Sequence, residues 1–131
     1  MAVNPKLLER GLEIRSTVLG KAHVDRARGR ATPFTQDFQD YITQYCWGDV
    51  WGRPGLERKT RSMLTIAMLA ALGREEELRL HVRASRNTGV SRDEVKEVLL
   101  QVAVYAGVPA ANTAFRVANE VYQEMDKEEG R

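Results

Sequence analysis

Two histidines, one cysteine and many arginines are the residues of this 131-residue chain suited to chemistry near neutral pH. His81 has the most suggestive setting. Its neighbours Leu78, Val82 and Ser85 stand at helical offsets that place it on or beside a buried face, and Glu77 lies one turn before it. A carboxylate at that spacing can hydrogen-bond the imidazole, fix its tautomer and raise its pKa toward a value useful for proton transfer. A core histidine that satisfies a backbone carbonyl would have the same pattern, so spacing leaves both readings open.

Arg53, Arg58, Arg61, Arg74, Arg79, Arg83 and Arg86 surround this region, and most must form a solvated charged face. Arg58 and Arg61 differ because they open a helix that is otherwise apolar, at the end that favours anions. They are the expected binders of a substrate carboxylate. Arg26, Arg28 and Arg30 form a second group, read either as a solvated face or as a contact for a small anion. In WGDVWGRPG, Trp47 and Trp51 stand beside three glycines and a proline. That backbone interrupts a helix, and its rings either line a pocket or cover a neighbouring surface.

No metal site is expected. His23 is far from His81, no HxxxH or HExxH occurs, and a catalytic zinc usually needs three protein ligands. Cys46 has no second cysteine, which excludes an intramolecular disulfide and dithiol redox chemistry, and its aromatic surroundings predict a buried, inert thiol. GxSxG elbows and phosphate-cradling glycine loops are absent from the sequence.

The 20 Lys and Arg against 18 Asp and Glu alternate along the chain, which argues against nucleic acid as a partner. Single cysteine usage fits a reducing compartment. The chain opens on a capped amphipathic helix rather than a basic and apolar leader, so no secretion signal is expected. The longest apolar run, Met63 to Leu72, is shorter than the roughly 20 residues of a membrane span. A soluble cytoplasmic protein is the expectation.

The elements that must position these residues read as six helices in one all-α domain, residues 1–131, without strand-type alternation. Asn4-Pro5 starts the first, with Leu8, Leu12, Arg15 and Leu19 on one face and Gly20 at its end. Between Lys21 and Pro33 the chain turns polar, and DRARGRA within it reads as a loop. Thr32-Pro33 opens the second helix, whose aromatic stripe Phe34, Phe38, Tyr41, Ile42 and Tyr45 predicts core packing. Leu56 to Leu72 is apolar enough for burial on every side, and a domain this small then needs a partner subunit to cover it. Arg74 to Thr88 follows and stops at Gly89. Ser91 with Glu94 caps a helix striped by Val95, Val98, Leu99, Val102 and Tyr105. Pro109 starts the last helix, packed through Ala110, Ala114, Val117, Ala118 and Val121, with KEEGR expected to fray.

WGDVWGRPGLERKTRSMLTIAMLAALG and ELRLHVRASRNTGVSRDEVKEVLLQVAVYAGVPAANTAF closely resemble the carboxymuconolactone decarboxylase family, over roughly Leu7 to Tyr122. The wider superfamily includes alkylhydroperoxidase D-like proteins, marked by a glutamate, a CxxC and a following histidine. Aligned without gaps, the histidine falls on His81, the cysteines on Arg74 and Glu77, and the glutamate on Ser62. Only the histidine is kept, so the resemblance implies the decarboxylase branch rather than a thiol peroxidase.

The activity so implied is cofactor-independent decarboxylation of 4-carboxymuconolactone to 3-oxoadipate enol-lactone and CO2, within protocatechuate catabolism by the β-ketoadipate pathway. The resemblance also implies an alkylhydroperoxidase D-like fold and a homo-oligomer, commonly a hexamer built as a trimer of dimers. For that reaction His81 is the expected proton-transfer or oxyanion group and Glu77 its orienting partner. Arg58 and Arg61 would bind the substrate carboxylates, Trp47 and Trp51 would wall the pocket, and Glu57 is a reserve acid. Two alternatives stay open: a related cofactor-free enzyme acting on another lactone or β-keto acid, and a non-catalytic helical oligomer that binds a small acidic ligand.

Overall fold

The computed structural model describes residues 2–130, whose regular elements are all helices, with no strand among them. They fall into two compact units, within Met1–Glu57 and Arg58–Arg131.

In the N-terminal unit, α1 spans Pro5–Leu19. The Asn4 side chain accepts a hydrogen bond from the Leu7 N–H at 3.2 Å, and Pro5 occupies a first-turn position that needs no donor. The buried residues are Gly11, Ile14, Arg15 and Val18, so the inward stripe is rotated from the expected Leu8, Leu12 and Leu19, which are only half-buried. The rotation follows from a close crossing: Gly11 faces Thr43 and Gly48 faces Leu7, at distances that admit no side chain.

Gly20, at φ 94°, turns the chain directly into α2, Lys21–Gly29. The expected loop is therefore a helix. Its residues are mostly good helix formers, Lys21 pairs with Asp25 at 2.6 Å one turn on, and Val24 anchors it in the interior. Polarity here marks an exposed helix face, not a loop.

Thr32 to Thr35 form a turn, and α3 begins only at Gln36, running to Tyr41. It continues as a π-helical segment, Ile42–Val50, whose wide winding shows in the 2.9 Å bond from the Trp51 N–H to the Cys46 carbonyl. Gly48 thus sits within a helix that the sequence pattern predicts to have stopped. The aromatic stripe is also not core: Phe34 is 94% exposed, and Phe38, Tyr41 and Tyr45 are exposed as well. The inward positions are Thr43, Gln44, Trp47 and Gly48. Gln44 and the Asn4 N–H pair at 2.7 Å, tying this segment to the start of α1. Cys46 lies on the exposed side, against the expectation of a buried thiol, although partial desolvation still raises its pKa.

The C-terminal unit comprises α4 (Arg58–Leu72), α5 (Glu75–Thr88), α6 (Arg92–Tyr105) and α7 (Val108–Glu128). Gly73 and Gly89, at φ 71° and 82°, make the left-handed turns that reverse the chain after α4 and α5. The Ser91 hydroxyl accepts from the Glu94 N–H while the Glu94 carboxylate accepts from the Ser91 N–H, both at 3.0 Å, forming the expected capping box. The core is Ile66 and Ala70 of α4, Leu78 and Val82 of α5, Val95, Leu99 and Val102 of α6, and Val117, Val121 and Met125 of α7. Each such aliphatic side chain contributes about 1.5–3 kcal/mol on burial.

α4 is not buried on every side in the single chain. Ser62, Ile66 and Ala70 face inward, whereas Leu64, Met68 and Leu72 are exposed, joined by Leu100, Val104 and Tyr105 of α6. The C-terminal segment does not fray before Glu128, because Glu128 and Glu129 are held by Arg83 and Arg86 at 2.8 and 2.7 Å. Among the described residues no helix is long and apolar enough to cross a membrane.

Candidate functional site

His81 lies midway along α5, half-buried, flanked by the fully buried Leu78, Val82 and Ser85. Its Nδ1 is sealed from solvent. The buried side of α5 is set by the apolar spacing of Leu78, Val82 and Ser85, so the imidazole is fixed at the edge of the core rather than in open solvent. Glu77 lies one turn earlier and is exposed. It shares the first turn with Glu75 and Glu76, where carboxylates also complement the helix dipole.

The arginines of α5 divide clearly. Arg79 pairs with Glu120, Arg83 with Glu124 at 3.2 Å and Glu128 at 2.8 Å, and Arg86 with Glu129 at 2.7 Å. These ion pairs fasten α5 along α7, and hydrogen bonds to the carboxylates raise the pKa of Arg79 and Arg83. Arg53 is likewise committed, donating to Asp49 at 2.9 Å. Their role is structural.

The first turn of α4 carries Arg58, Lys59 and Arg61 and no acid. Lys59 is compensated by Glu94 at 2.7 Å, and this pairing, with the Ser91 backbone bond, lowers the Glu94 pKa. Arg58 is exposed and Arg61 half-buried with its Nε sealed. Cations at a helix N-terminus oppose the macrodipole, an arrangement that an arriving anion relieves. Beside them Ser62 is only 1% exposed, and its hydroxyl has no hydrogen-bond partner among the described residues. Periodicity gives no reason to single it out, since a small polar residue in line with Ile66 and Ala70 reads as ordinary helix packing.

A groove of about 450 Å³ runs between α4 and α6, lined by Thr60, Met63, Leu64, Ala67, Val98 and Gln101, with Glu97 at its edge. A second cavity, about 370 Å³, is bounded by Ser85, Arg86, Arg92 and Tyr122. The charges there are already spent: Arg92 bonds Asp126 at 2.7 Å and lies 4.4 Å over the Tyr122 ring.

Glu77, His81, Arg58 and Arg61 therefore all belong to the C-terminal unit, on its α4–α5 hairpin. Trp47 and Trp51 belong to the N-terminal unit, where their rings stack at 4.8 Å with an interplanar angle of 26°. Trp47 is 7% exposed and Trp51 half-buried. Glu57, the reserve acid, is exposed just before α4. Among the described residues no group of three or more His, Cys, Asp or Glu could hold a metal ion.

The model of the carboxymuconolactone decarboxylase family matches residues 36–120. The chain belongs to that family. Among family relatives, 4-carboxymuconolactone decarboxylase of Acinetobacter baylyi is 52% identical over 117 residues, 89% of this chain and 87% of that one. Nitrosuccinic acid decarboxylase npaB of Metarhizium robertsii is 42% identical over 120 residues, 92% of this chain and 84% of that one. The family match spans α3 through most of α7 and so includes Trp47, Trp51, Glu57, Arg58, Arg61, Glu77 and His81.

Proposed function

We propose that this carboxymuconolactone decarboxylase family protein is a carboxy-lyase that converts 4-carboxymuconolactone to 3-oxoadipate enol-lactone and CO2 in the β-ketoadipate pathway. The observation that carries this reading is the near full-length, 52% identity to a protein named 4-carboxymuconolactone decarboxylase.

The chemistry requires no organic cofactor or metal. The departing carboxylate stands on the saturated ring carbon attached to a double bond that is conjugated with the lactone carbonyl. When its C–C bond breaks, the electron pair flows into that carbonyl as a dienolate and CO2 leaves. A proton then adds to the ring carbon next to the carbonyl, giving the enol-lactone. The enzyme must hold two carboxylates, stabilise the dienolate oxygen and deliver one proton.

We assign the proton transfer or oxyanion contact to His81, which is held at the core edge, and its orientation to Glu77. Arg58 and Arg61 orient the carboxylates, consistent with an α4 first turn that contains basic residues and no acid. Trp47 and Trp51 supply the apolar wall, a role that large stacked rings suit because dry surroundings strengthen the charge interactions.

The relative named for nitrosuccinic acid supports a second reading, in which this chain decarboxylates another acid that carries an electron-withdrawing group. A non-catalytic binder of a small acid is the third. Purified protein incubated with 4-carboxymuconolactone, and separately with nitrosuccinate, separates these readings by CO2 release and substrate loss. Release from the lactone alone is expected. Turnover of neither substrate overturns the decarboxylase reading.

The exposed apolar positions of α4 and α6 support assembly as a homo-oligomer, for which a hexamer of three dimers is proposed. The two compact units are taken as one domain because the family match crosses Glu57–Arg58. A cytoplasmic location fits a chain with one exposed thiol.

A further inference from the structure

The N-terminal unit contains a cluster of cations that the proposed reaction does not use. Arg15 lies on the inward face of α1 and is only 4% exposed. Its Nη1 donates to two neutral side chains, Gln39 at 3.1 Å and Thr43 at 3.2 Å, so no carboxylate takes up its charge through these bonds. The Nε of Arg15 is sealed from solvent and has no acceptor among the described residues, and the same holds for Nε of Arg28 on α2. Buried charged donors in native proteins are nearly always paired.

Along α1 and α2 around this cluster cations outnumber acids, while Asp37 and Asp40 flank Gln39 on α3. Asp25, the sole acid among residues 15–30, is taken by Lys21 at 2.6 Å. Arg15 bears on His23 from α1, and Arg26 and Arg30 bear on it from α2 and its C-terminal end. Burial first, and then these three charges, hold the His23 pKa below its ordinary value. Burial and then Arg28 also lower the Arg15 pKa, with only the Cys46 thiol acting in the other direction.

We propose that Arg15, Arg28 and His23 form a binding site for the carboxylate of a small free acid. The two orphaned Nε–H groups are charge-assisted donors left without an acceptor among the described residues, on two guanidinium groups close enough for Arg28 to act on Arg15, and guanidinium planes suit a carboxylate well. A bound anion offsets the cationic field on His23, so binding takes up a proton and tightens as the pH falls. The site stands on residues outside those assigned to decarboxylation and does not rest on that assignment.

The chain has only two histidines, His23 and His81, so ring resonances in an NMR titration of the whole protein are readily separated. Succinate is the probe, with each histidine followed across pH in its presence and absence. Saturating succinate should raise the His23 pKa by about one unit or more, the scale of losing one nearby repulsive charge. Arg28→Gln should weaken the succinate midpoint about tenfold or more, and Arg28→Lys should recover part of that loss, while both variants keep the parent melting temperature without succinate. An identical His23 titration with and without succinate overturns the site, as does an unchanged midpoint in Arg28→Gln. A response of His81 alone assigns succinate binding to the C-terminal unit and overturns it too. A His23 pKa already raised without succinate that falls on protein dilution would place a carboxylate of a second copy there and overturn the free-acid assignment.

Discussion

A Cβ added to Gly11 would stand 1.8 Å from the carbonyl oxygen of Thr43, so α1 and the π-helical segment meet backbone to backbone. Gly48 makes the reciprocal approach, where a Cβ would lie 2.6 Å from the Leu7 carbonyl oxygen. This crossing sets how α1 packs against the π-helical segment in the N-terminal unit.

Gly11→Ala is therefore expected to destabilise the protein by about 1–3 kcal/mol or more, because backbone on both sides has to move. Differential scanning calorimetry reads this as a melting temperature lowered by several degrees. Gly29→Ala is the control: beyond its own stretch of helix a Cβ there would meet nothing within 4 Å, and its φ is not positive. That substitution should leave stability unchanged or raise it by about 0.5–1 kcal/mol.

His81→Ala should lower decarboxylase turnover by roughly 10²–10⁴-fold with folding intact, the range for a lost general acid. Arg58→Gln should act mainly on KM, roughly 10- to 100-fold, if it removes one charge-assisted bond to a substrate carboxylate. Arg79→Gln is a useful contrast, since Arg79 is occupied by Glu120. It should change melting temperature but leave both kinetic constants within a few-fold. Steady-state kinetics on the lactone check all three, and a His81→Ala enzyme within a few-fold of the parent would remove His81 from the mechanism.

What the sequence makes legible here is local. Asn4-Pro5, the Ser91–Glu94 box and the turns at Gly73 and Gly89 each encode their geometry within a few residues, and each stands where spacing predicts. The misread features depend on distant partners. Gly48 resembles a helix breaker until Leu7 is seen against it, and Lys21 to Gly29 resembles a loop until Val24 is seen buried. The Phe34 to Tyr45 stripe has helical spacing, but spacing does not show which face meets α1. The candidate site follows the same division. His81 and Glu77 are neighbours by local periodicity, while the commitment of Arg79, Arg83 and Arg86 to α7 is visible only in three dimensions. Arg15 did carry a signal: an arginine on an otherwise aliphatic helix face.

His23 should make stability fall on mild acidification. Its folded pKa is depressed, by burial and then by Arg15, Arg26 and Arg30, below the ordinary imidazole value of about 6.5. The folded state then binds fewer protons than the unfolded chain in the interval between the two values, so stability rises with pH there. The contribution is complete above the unfolded pKa and is lost as pH falls through the folded one. Urea unfolding between about pH 7 and 5, above the main carboxylate range, should show this loss in the parent and a flatter profile in His23→Gln. Equal slopes would show that His23 is not the group responsible.

The exposed apolar face of the C-terminal unit gives the last test. Leu64, Met68 and Leu72 recur at four-residue steps along α4, and Leu72 is 69% exposed. A single chain gains nothing from three large side chains in water, whereas covering each contributes about 1.5–3 kcal/mol. A carboxylate placed among them would have to be desolvated on assembly without a partner. Met68→Glu and Leu72→Glu should therefore shift the protein to smaller species in size-exclusion chromatography with light scattering, while helical circular dichroism is retained. Gln123→Glu, which adds the same charge at an exposed position of α7, should leave the assembly intact. If all three variants elute as the parent does, this face is not the contact between copies.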